Sequence, residues 1–160
     1  MSDPTVIHGN FTIVRHYRAS PAKAFDAFRD PAKKRRWFVE SDGFHVDSFE
    51  MDFRVGGTER SCFRFVADKP IEEGTPCIND TVYMDIVEGA RIVTAYTMTV
   101  GEARISSSLA TVEFLPDGTG SKLIFTEQAA FFAGGDGIAM RQQGWEELID
   151  RLARFLEGTL

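Results

Sequence analysis

Apolar and polar side chains alternate along much of this chain, which is the pattern of strands with one buried face. In residues 49–54, large apolar side chains occupy every second position and charged side chains lie between them. Similar stretches rich in β-branched and aromatic residues predict further strands at 11–17, 58–66, 81–87, 91–100, 105–115 and 122–130. Because short turns separate successive strands, we expect neighbouring strands to pair antiparallel.

Helical signals occur at three places. Ser20-Pro21 and Asp30-Pro31 each put a capping side chain before a proline at the first helical position, which predicts two short helices after the first strand. After Asp136, which can cap a helix, apolar residues recur at helical spacing until Gly158. The predicted fold class is α+β, with a curved antiparallel sheet of six to seven strands around a long C-terminal helix.

Composition supports a core built mainly from strands. The chain has 14 Phe, and its first Leu is Leu109, so most of the predicted sheet is filled with Phe, Val, Ile, Met and Tyr. These residues favour strands, which makes a four-helix bundle a poor fit. The net charge of −6 argues against broad binding to phosphate backbones, and we expect no nucleic-acid partner.

Several functional classes are disfavoured by missing signals. No apolar stretch is long enough for a membrane span, and the first ten residues do not resemble a secretory signal. Cys62 and Cys77 are therefore expected to be free thiols in the cytoplasm. None of the three histidines has a metal-ligand partner at helical or strand spacing, and the glycines at 134–137 lack a nucleotide-binding context. We expect neither a metal nor a cofactor.

Five segments carry a resemblance to a known family. They are residues 19–38, 52–57, 90–98, 110–128 and 144–158, in that order along the chain. The chain resembles the START-like (SRPBCC) helix-grip superfamily and, within it, the activator-of-heat-shock-chaperone-ATPase homologues, or AHSA1-like family. The resemblance implies one domain over residues 1–160 with a ligand cavity between the sheet and the last helix. The family includes ligand carriers, cyclase-like enzymes, sequestering proteins and chaperone co-factors, so it does not fix one activity.

Strand phase and helix spacing predict which side chains line that cavity. The larger members of each alternating set are expected to face inward, and the second short helix is expected to form the cavity mouth. The candidate ligand-binding residues are Trp37, Phe49, Phe63, Tyr83, Tyr96, Met98, Phe114, Phe125, Met140, Trp145 and Ile149. Planar aromatic walls with few polar groups favour a planar, mostly apolar ligand.

Two carboxylates fall in the inward phase and are the candidate catalytic residues. Glu59 shares its phase with Phe63, and Glu127 shares its phase with Phe125. The resemblance implies an aromatic residue where Glu59 stands, so Glu59 departs from the family pattern. A buried carboxylate would be protonated, hydrated, or paired with Arg64, Arg104 or a tyrosine hydroxyl. Alternatively, either residue lies near a strand end and contacts solvent.

Three functions remain open from the sequence. The first is binding of a small hydrophobic, planar ligand such as a lipid-like or polyketide-like molecule. The second is a cyclase, aromatase or hydrolase that uses Glu59 or Glu127 with a tyrosine. The third is stimulation of a chaperone ATPase. A homodimer through a sheet edge or the open sheet face is compatible with each of them. The basic run at 33–36 is expected to be a solvated helix face.

Overall fold

Seven antiparallel strands form one sheet in the computed structural model, which describes residues 5–66 and 71–160. The sheet order is β1-β7-β6-β5-β4-β3-β2, so the first strand lies beside the last and the other neighbours follow chain order. The strands are β1 (Ile7–Tyr17), β2 (Phe44–Met51), β3 (Thr58–Phe65), β4 (Pro76–Val87), β5 (Arg91–Val100), β6 (Ala103–Asp117) and β7 (Gly120–Phe131).

In the part of the chain that the structure describes, three α-helices accompany the sheet: α1 (Pro21–Arg29), α2 (Pro31–Lys34) and α3 (Ile138–Leu156). The predicted caps of the two short helices are present. The Ser20 hydroxyl accepts a hydrogen bond from the Lys23 backbone N–H, and the Asp30 carboxylate accepts from the second and third residues of α2. The α+β helix-grip fold class predicted from the sequence is confirmed.

Two details of the helices differ from the sequence prediction. The predicted second helix is α-helical for one turn and then continues as a π-helical turn, Arg35–Val39, in which the Glu40 N–H donates to the Arg35 carbonyl. Asp136 does not cap α3. Gly137 occupies the N-cap position at φ 82°, and the Asp136 carboxylate instead binds the Arg141 side chain. A charged partner on the helix therefore replaces the expected capping bond.

The core lies on the concave face of the sheet. Helix α1 covers one end, where the Phe114 ring packs edge-on against Phe25 and Phe28 with centroid distances of 5.4 and 5.3 Å. Helix α3 crosses the sheet and buries Ile149 and Leu152 completely. The two helices thus fill one part of the concave face and leave the part beside β3, β4 and the π-helical turn less tightly packed.

A close approach of the backbone shapes the β2–β3 connection. A Cβ atom added at Gly57 would lie 2.1 Å from the carbonyl oxygen of Asp52, so no larger residue fits without movement. The Gly57 carbonyl accepts from the Tyr83 N–H, which ties this bend to β4. Within residues 5–66 and 71–160, none of the helices has the length and apolar character needed to cross a membrane.

Candidate functional site

A cavity of about 510 Å³ lies between the concave face of the sheet, the π-helical turn and α3. Its aromatic and aliphatic lining comes from all three elements: Phe38, Val39, Phe44, Phe63, Phe65, Val66, Met98, Met140, Trp145 and Leu148. Polar side chains complete the wall: Ser41, Glu59, Ser61, Asn79, Thr81, Thr94, Tyr96, Asp136, Arg141, Glu147 and Arg151. The volume falls in the usual range of small-molecule sites.

Five of the predicted ligand-binding residues line this cavity. They are Phe63 on β3, Tyr96 and Met98 on β5, and Met140 and Trp145 on α3. Met140 is 49% exposed, so it belongs to the rim, together with the exposed Gly144 and Glu147. Trp145 stacks near Phe38, with 5.8 Å between ring centroids, and these two rings form one flat side of the wall.

Three other predicted residues lie in the packed core instead of the cavity wall. Phe114 is enclosed by the α1 phenylalanines, and Ile149 is completely buried under α3. Phe125 is covered by Trp145, whose ring centroid lies 4.2 Å from its own. Each points to the concave side as predicted, but a helix lies directly above it.

Trp37, Phe49 and Tyr83 also do not line the cavity. Trp37 is completely buried, and its indole N–H donates to the Ala27 carbonyl at 2.9 Å, whereas its neighbour Phe38 faces the cavity. The two residues are adjacent in the π-helical turn and therefore point in different directions. Phe49 is half-buried on the edge strand β2, beyond a register shift between Val46 and Ser48. Tyr83 is buried, and its hydroxyl donates to Glu59.

Glu59 belongs to a buried ion pair at the cavity wall. It is 4% exposed, and its Oε1 accepts hydrogen bonds of 2.6 Å from both Lys34 Nζ and the Tyr83 hydroxyl. The Lys34 ammonium also lies 4.8 Å from the centroid of the Phe38 ring. The predicted tyrosine partner is therefore present, but the cation is Lys34 and not Arg64 or Arg104.

Glu127 lies in a second cluster, one layer behind the cavity. It is completely buried, and it accepts from the Tyr96 hydroxyl at 2.6 Å, from Ser108 at 3.2 Å and from Arg141 at 3.2 Å. Burial raises the pKa of Glu127 above its ordinary value, and the hydrogen bond from Tyr96 and the charge of Arg141 offset this effect in part. Burial and the adjacent Glu127 carboxylate also raise the pKa of Tyr96.

Arg141 links this cluster to the cavity rim. Its Nε and Nη2 donate to the Asp136 carboxylate, both at 2.9 Å, and Nη2 also donates to Ser106 at 2.8 Å. Its Nη1 donates to the Tyr96 hydroxyl at 3.0 Å and to Glu127. Two carboxylates therefore share one guanidinium, which is 6% exposed.

The sequence interpretation missed Lys34 and Arg141 as members of the site. The basic run at 33–36 predicts a solvated face for Lys34, although this residue lies four positions before Phe38 and therefore on the same helical side. Arg141 sits at the spacing of the buried apolar residues of α3, and this spacing was the available signal for a buried cation. In the described parts of the chain, no group of His, Cys, Asp and Glu side chains is arranged to hold a metal.

The architecture identifies the class of fold. A curved sheet around a C-terminal helix, with a cavity at one end, is the helix-grip fold. The family described as activator of Hsp90 ATPase homolog 1-like protein matches residues 18–157, and this chain belongs to that AHSA1-like family. No curated protein matches the chain.

Solved structures agree with this assignment. An uncharacterised protein from Rhizobium leguminosarum is 41% identical, with 95% of this chain and 96% of that chain covered and a TM-score of 0.85. A protein from Rhizobium loti is 43% identical over 95% of this chain and 99% of its own, with a TM-score of 0.83. An AHSA1-like protein from Aeromonas hydrophila, 20% identical over 94% of this chain and 93% of its own, shares the fold with a TM-score of 0.68.

Proposed function

We propose that this chain is a ligand-binding domain that holds a small, mainly apolar and planar molecule between the sheet and α3. The observation that carries the proposal is the cavity of about 510 Å³ with aromatic walls from Phe38, Phe63 and Trp145. Apolar surface transferred from water to such a wall contributes about 25 cal/mol per Å² to binding, before the entropic costs of association. We expect the domain to act in the cytoplasm.

Gly144 offers a way to close the cavity without disturbing the fold. It lies at the rim in the middle of α3, and a Cβ atom added there meets nothing within 4 Å. Replacement of a helical glycine by alanine or leucine favours the helix by up to about 1 kcal/mol. Gly144→Leu should therefore fill the entrance while the free energy of unfolding stays the same or rises.

The test is a titration with N-phenyl-1-naphthylamine, a neutral probe whose fluorescence rises in apolar surroundings. We expect saturable binding to the wild type, similar binding to Gly144→Ala, and a loss of affinity of at least about tenfold in Gly144→Leu. Urea unfolding of all three proteins controls for stability. Equal binding by wild type and Gly144→Leu, or no binding to the wild type, would contradict the proposal.

An enzymatic function is the second candidate, and the position of Glu59 favours it. This carboxylate lines the cavity and is held by Lys34 and Tyr83, an arrangement suited to proton transfer to or from a bound molecule. Glu127 is a weaker candidate because Tyr96 and Arg141 stand between it and the cavity. Turnover of a bound cyclisable or ester substrate that is abolished in Glu59→Gln, with binding retained, would support this function.

A role in stimulating a chaperone ATPase is the third candidate, suggested by the family description alone. It predicts that the purified domain increases the ATPase rate of Hsp90. A rate unchanged at a large excess of the domain would remove this candidate and leave the binding function unaffected.

A further inference from the structure

The charged groups around the cavity are mostly paired with one another. Lys34 is bound to Glu59, and Arg141 is bound to both Glu127 and Asp136. All of these side chains except Asp136 are at most a tenth exposed. At the inner end of the cavity, an anionic ligand would have to displace a carboxylate from a buried cation, which is costly.

The rim adds charge of both signs. Arg151 lies there, but its Nε and Nη2 donate to the carbonyl oxygens of Trp37, Arg36 and Glu40, so it holds the end of the π-helical turn. Glu147 lines the same rim. In the described part of the chain, the cavity and the clusters behind it thus contain four carboxyl groups and three cations. The electrostatic balance disfavours a carboxylate ligand.

Hydrogen-bond acceptors, in contrast, lie at the cavity wall without a full set of partners. Asn79 lines the cavity, and its Oδ1 is covered by neighbouring atoms and has no hydrogen-bond partner among the described residues, so the amide must turn to present it to a ligand. Among the described residues, both hydrogen bonds to Glu59 are made to Oε1, which leaves Oε2 to accept another. A buried acceptor without a partner costs free energy, and a donor on a ligand would remove that cost.

The sheet register places these two acceptors close together. Glu59 pairs with Thr81 and Ser61 pairs with Asn79, so Glu59 and Asn79 are diagonal neighbours on adjacent strands and face the same side. The Cα atoms of such diagonal neighbours are about 7 to 8 Å apart, so the hydroxyl group of one ligand can reach either side chain. The aromatic walls of Phe38, Phe63 and Trp145 stand around this polar position.

We propose that the cavity takes an uncharged aromatic molecule with a hydroxyl group, and that the hydroxyl donates its hydrogen bond to Asn79 or Glu59. This inference rests on the proposed binding function and specifies its ligand class. It predicts that neutral phenols and related aromatic alcohols bind, and that fatty acids and aromatic acids bind more weakly. The polar group lies at the inner wall, and the apolar body fills the space toward the rim.

The test compares three naphthalene derivatives by isothermal titration calorimetry at pH 7. 2-Naphthol carries the neutral donor, 2-methoxynaphthalene keeps the oxygen but lacks the donor, and 2-naphthoate is an anion. A hydrogen bond to a buried acceptor is expected to make 2-naphthol bind at least about tenfold more tightly than 2-methoxynaphthalene. 2-Naphthoate is expected to bind more weakly than either of them.

Variants locate the polar contact. Asn79→Leu and Glu59→Gln should each reduce the preference for 2-naphthol over 2-methoxynaphthalene, the stronger of the two effects by about fivefold or more. Thr94→Val is the matched control, because Thr94 lines the same cavity and Val keeps its shape. This control should leave the preference unchanged. Because Asn79→Leu leaves the Lys34 ion pair intact, it remains informative even if Glu59→Gln folds poorly.

The outcomes separate the ligand class from the binding function. Tighter binding of 2-naphthoate or 2-methoxynaphthalene than of 2-naphthol would overturn the inference and leave the binding function standing. An unchanged preference in both Asn79→Leu and Glu59→Gln would overturn the assigned contact. Failure of all three compounds, together with failure of N-phenyl-1-naphthylamine, would overturn the binding function itself.

Discussion

The buried Lys34–Glu59 pair makes a quantitative prediction about stability. Lys34 Nζ lies 2.6 Å from Glu59 Oε1, and the two side chains are 10% and 4% exposed. Removal of one partner from such a pair leaves an uncompensated buried charge and costs about 3 to 5 kcal/mol. Lys34→Met should therefore lower the free energy of unfolding by that amount. For a chain of this length the expected fall in melting temperature is roughly 6 to 20 °C.

A double-mutant cycle isolates the interaction between the two side chains. Glu59→Gln removes the negative charge but keeps an oxygen that can accept from the Tyr83 hydroxyl. In the double variant no charge is left unpaired, so its loss of stability should be smaller than the sum of the single losses. We expect a coupling free energy of about 2 to 3 kcal/mol.

The assay is urea unfolding followed by tryptophan fluorescence and circular dichroism at pH 7, with equal m-values as the check that two-state unfolding holds. Lys33→Met is the matched control, because Lys33 is a neighbouring lysine on the exposed side, 45% exposed. Its replacement should leave the free energy of unfolding nearly unchanged, because an exposed ion pair contributes little to stability. A loss below about 1 kcal/mol in Lys34→Met, or a coupling near zero, would refute the reasoning.

Three further predictions test other parts of the molecule. Gly57→Ala should lower the free energy of unfolding by about 1 to 3 kcal/mol or more, because the alanine Cβ would lie 2.1 Å from the Asp52 carbonyl oxygen. Urea unfolding measures this loss, and an unchanged stability would contradict the prediction. Burial raises the pKa of Glu127, so the folded chain binds this proton more tightly than the unfolded chain. The stabilisation from this proton is full below about pH 4 and is lost as pH rises through the folded-state pKa of Glu127. The free energy of unfolding of the wild type minus that of Glu127→Gln should therefore fall between about pH 4 and 8. A rise in this difference would contradict the prediction. Quenching of tryptophan fluorescence by a cavity ligand should persist in Trp37→Phe and disappear in Trp145→Phe, because Trp145 lines the cavity and Trp37 is buried in the core. The reverse pattern would show that the ligand binds outside this cavity.

Strand alternation predicted which face of each strand is buried. Tyr96 and Met98 on β5 and Glu59 and Phe63 on β3 all lie on the concave side, as their phase indicated. A period of two residues determines the side of a strand unambiguously. The same alternation correctly predicted that Glu127 is buried, although a carboxylate is not expected at a buried position.

Strand alternation could not predict which inward-facing residues line the cavity, nor which cations pair with the buried carboxylates. Phe114 and Tyr96 face the same side, but whether a residue meets a helix or an open space depends on where α1 and α3 lie across the sheet. The orientation of Trp37 and Phe38 depends on a π-helical turn, for which two adjacent aromatic residues give no periodic signal. Lys34 and Glu59 are 25 residues apart, and Arg141 and Glu127 are 14 residues apart, so no helical or strand spacing identifies these two pairs.

The sheet order has a consequence for how the chain folds. From β3 to β7 each strand pairs with the strand before it in the chain, so these contacts form after short loops close. The pairing of β1 with β7, which places Thr12 beside Thr126, requires closure of a loop of more than about a hundred residues. We therefore expect β1 to join late, and until then β7 presents an open edge to other chains. Aggregation during refolding should begin at that edge, and a short peptide with the β1 sequence should compete for it.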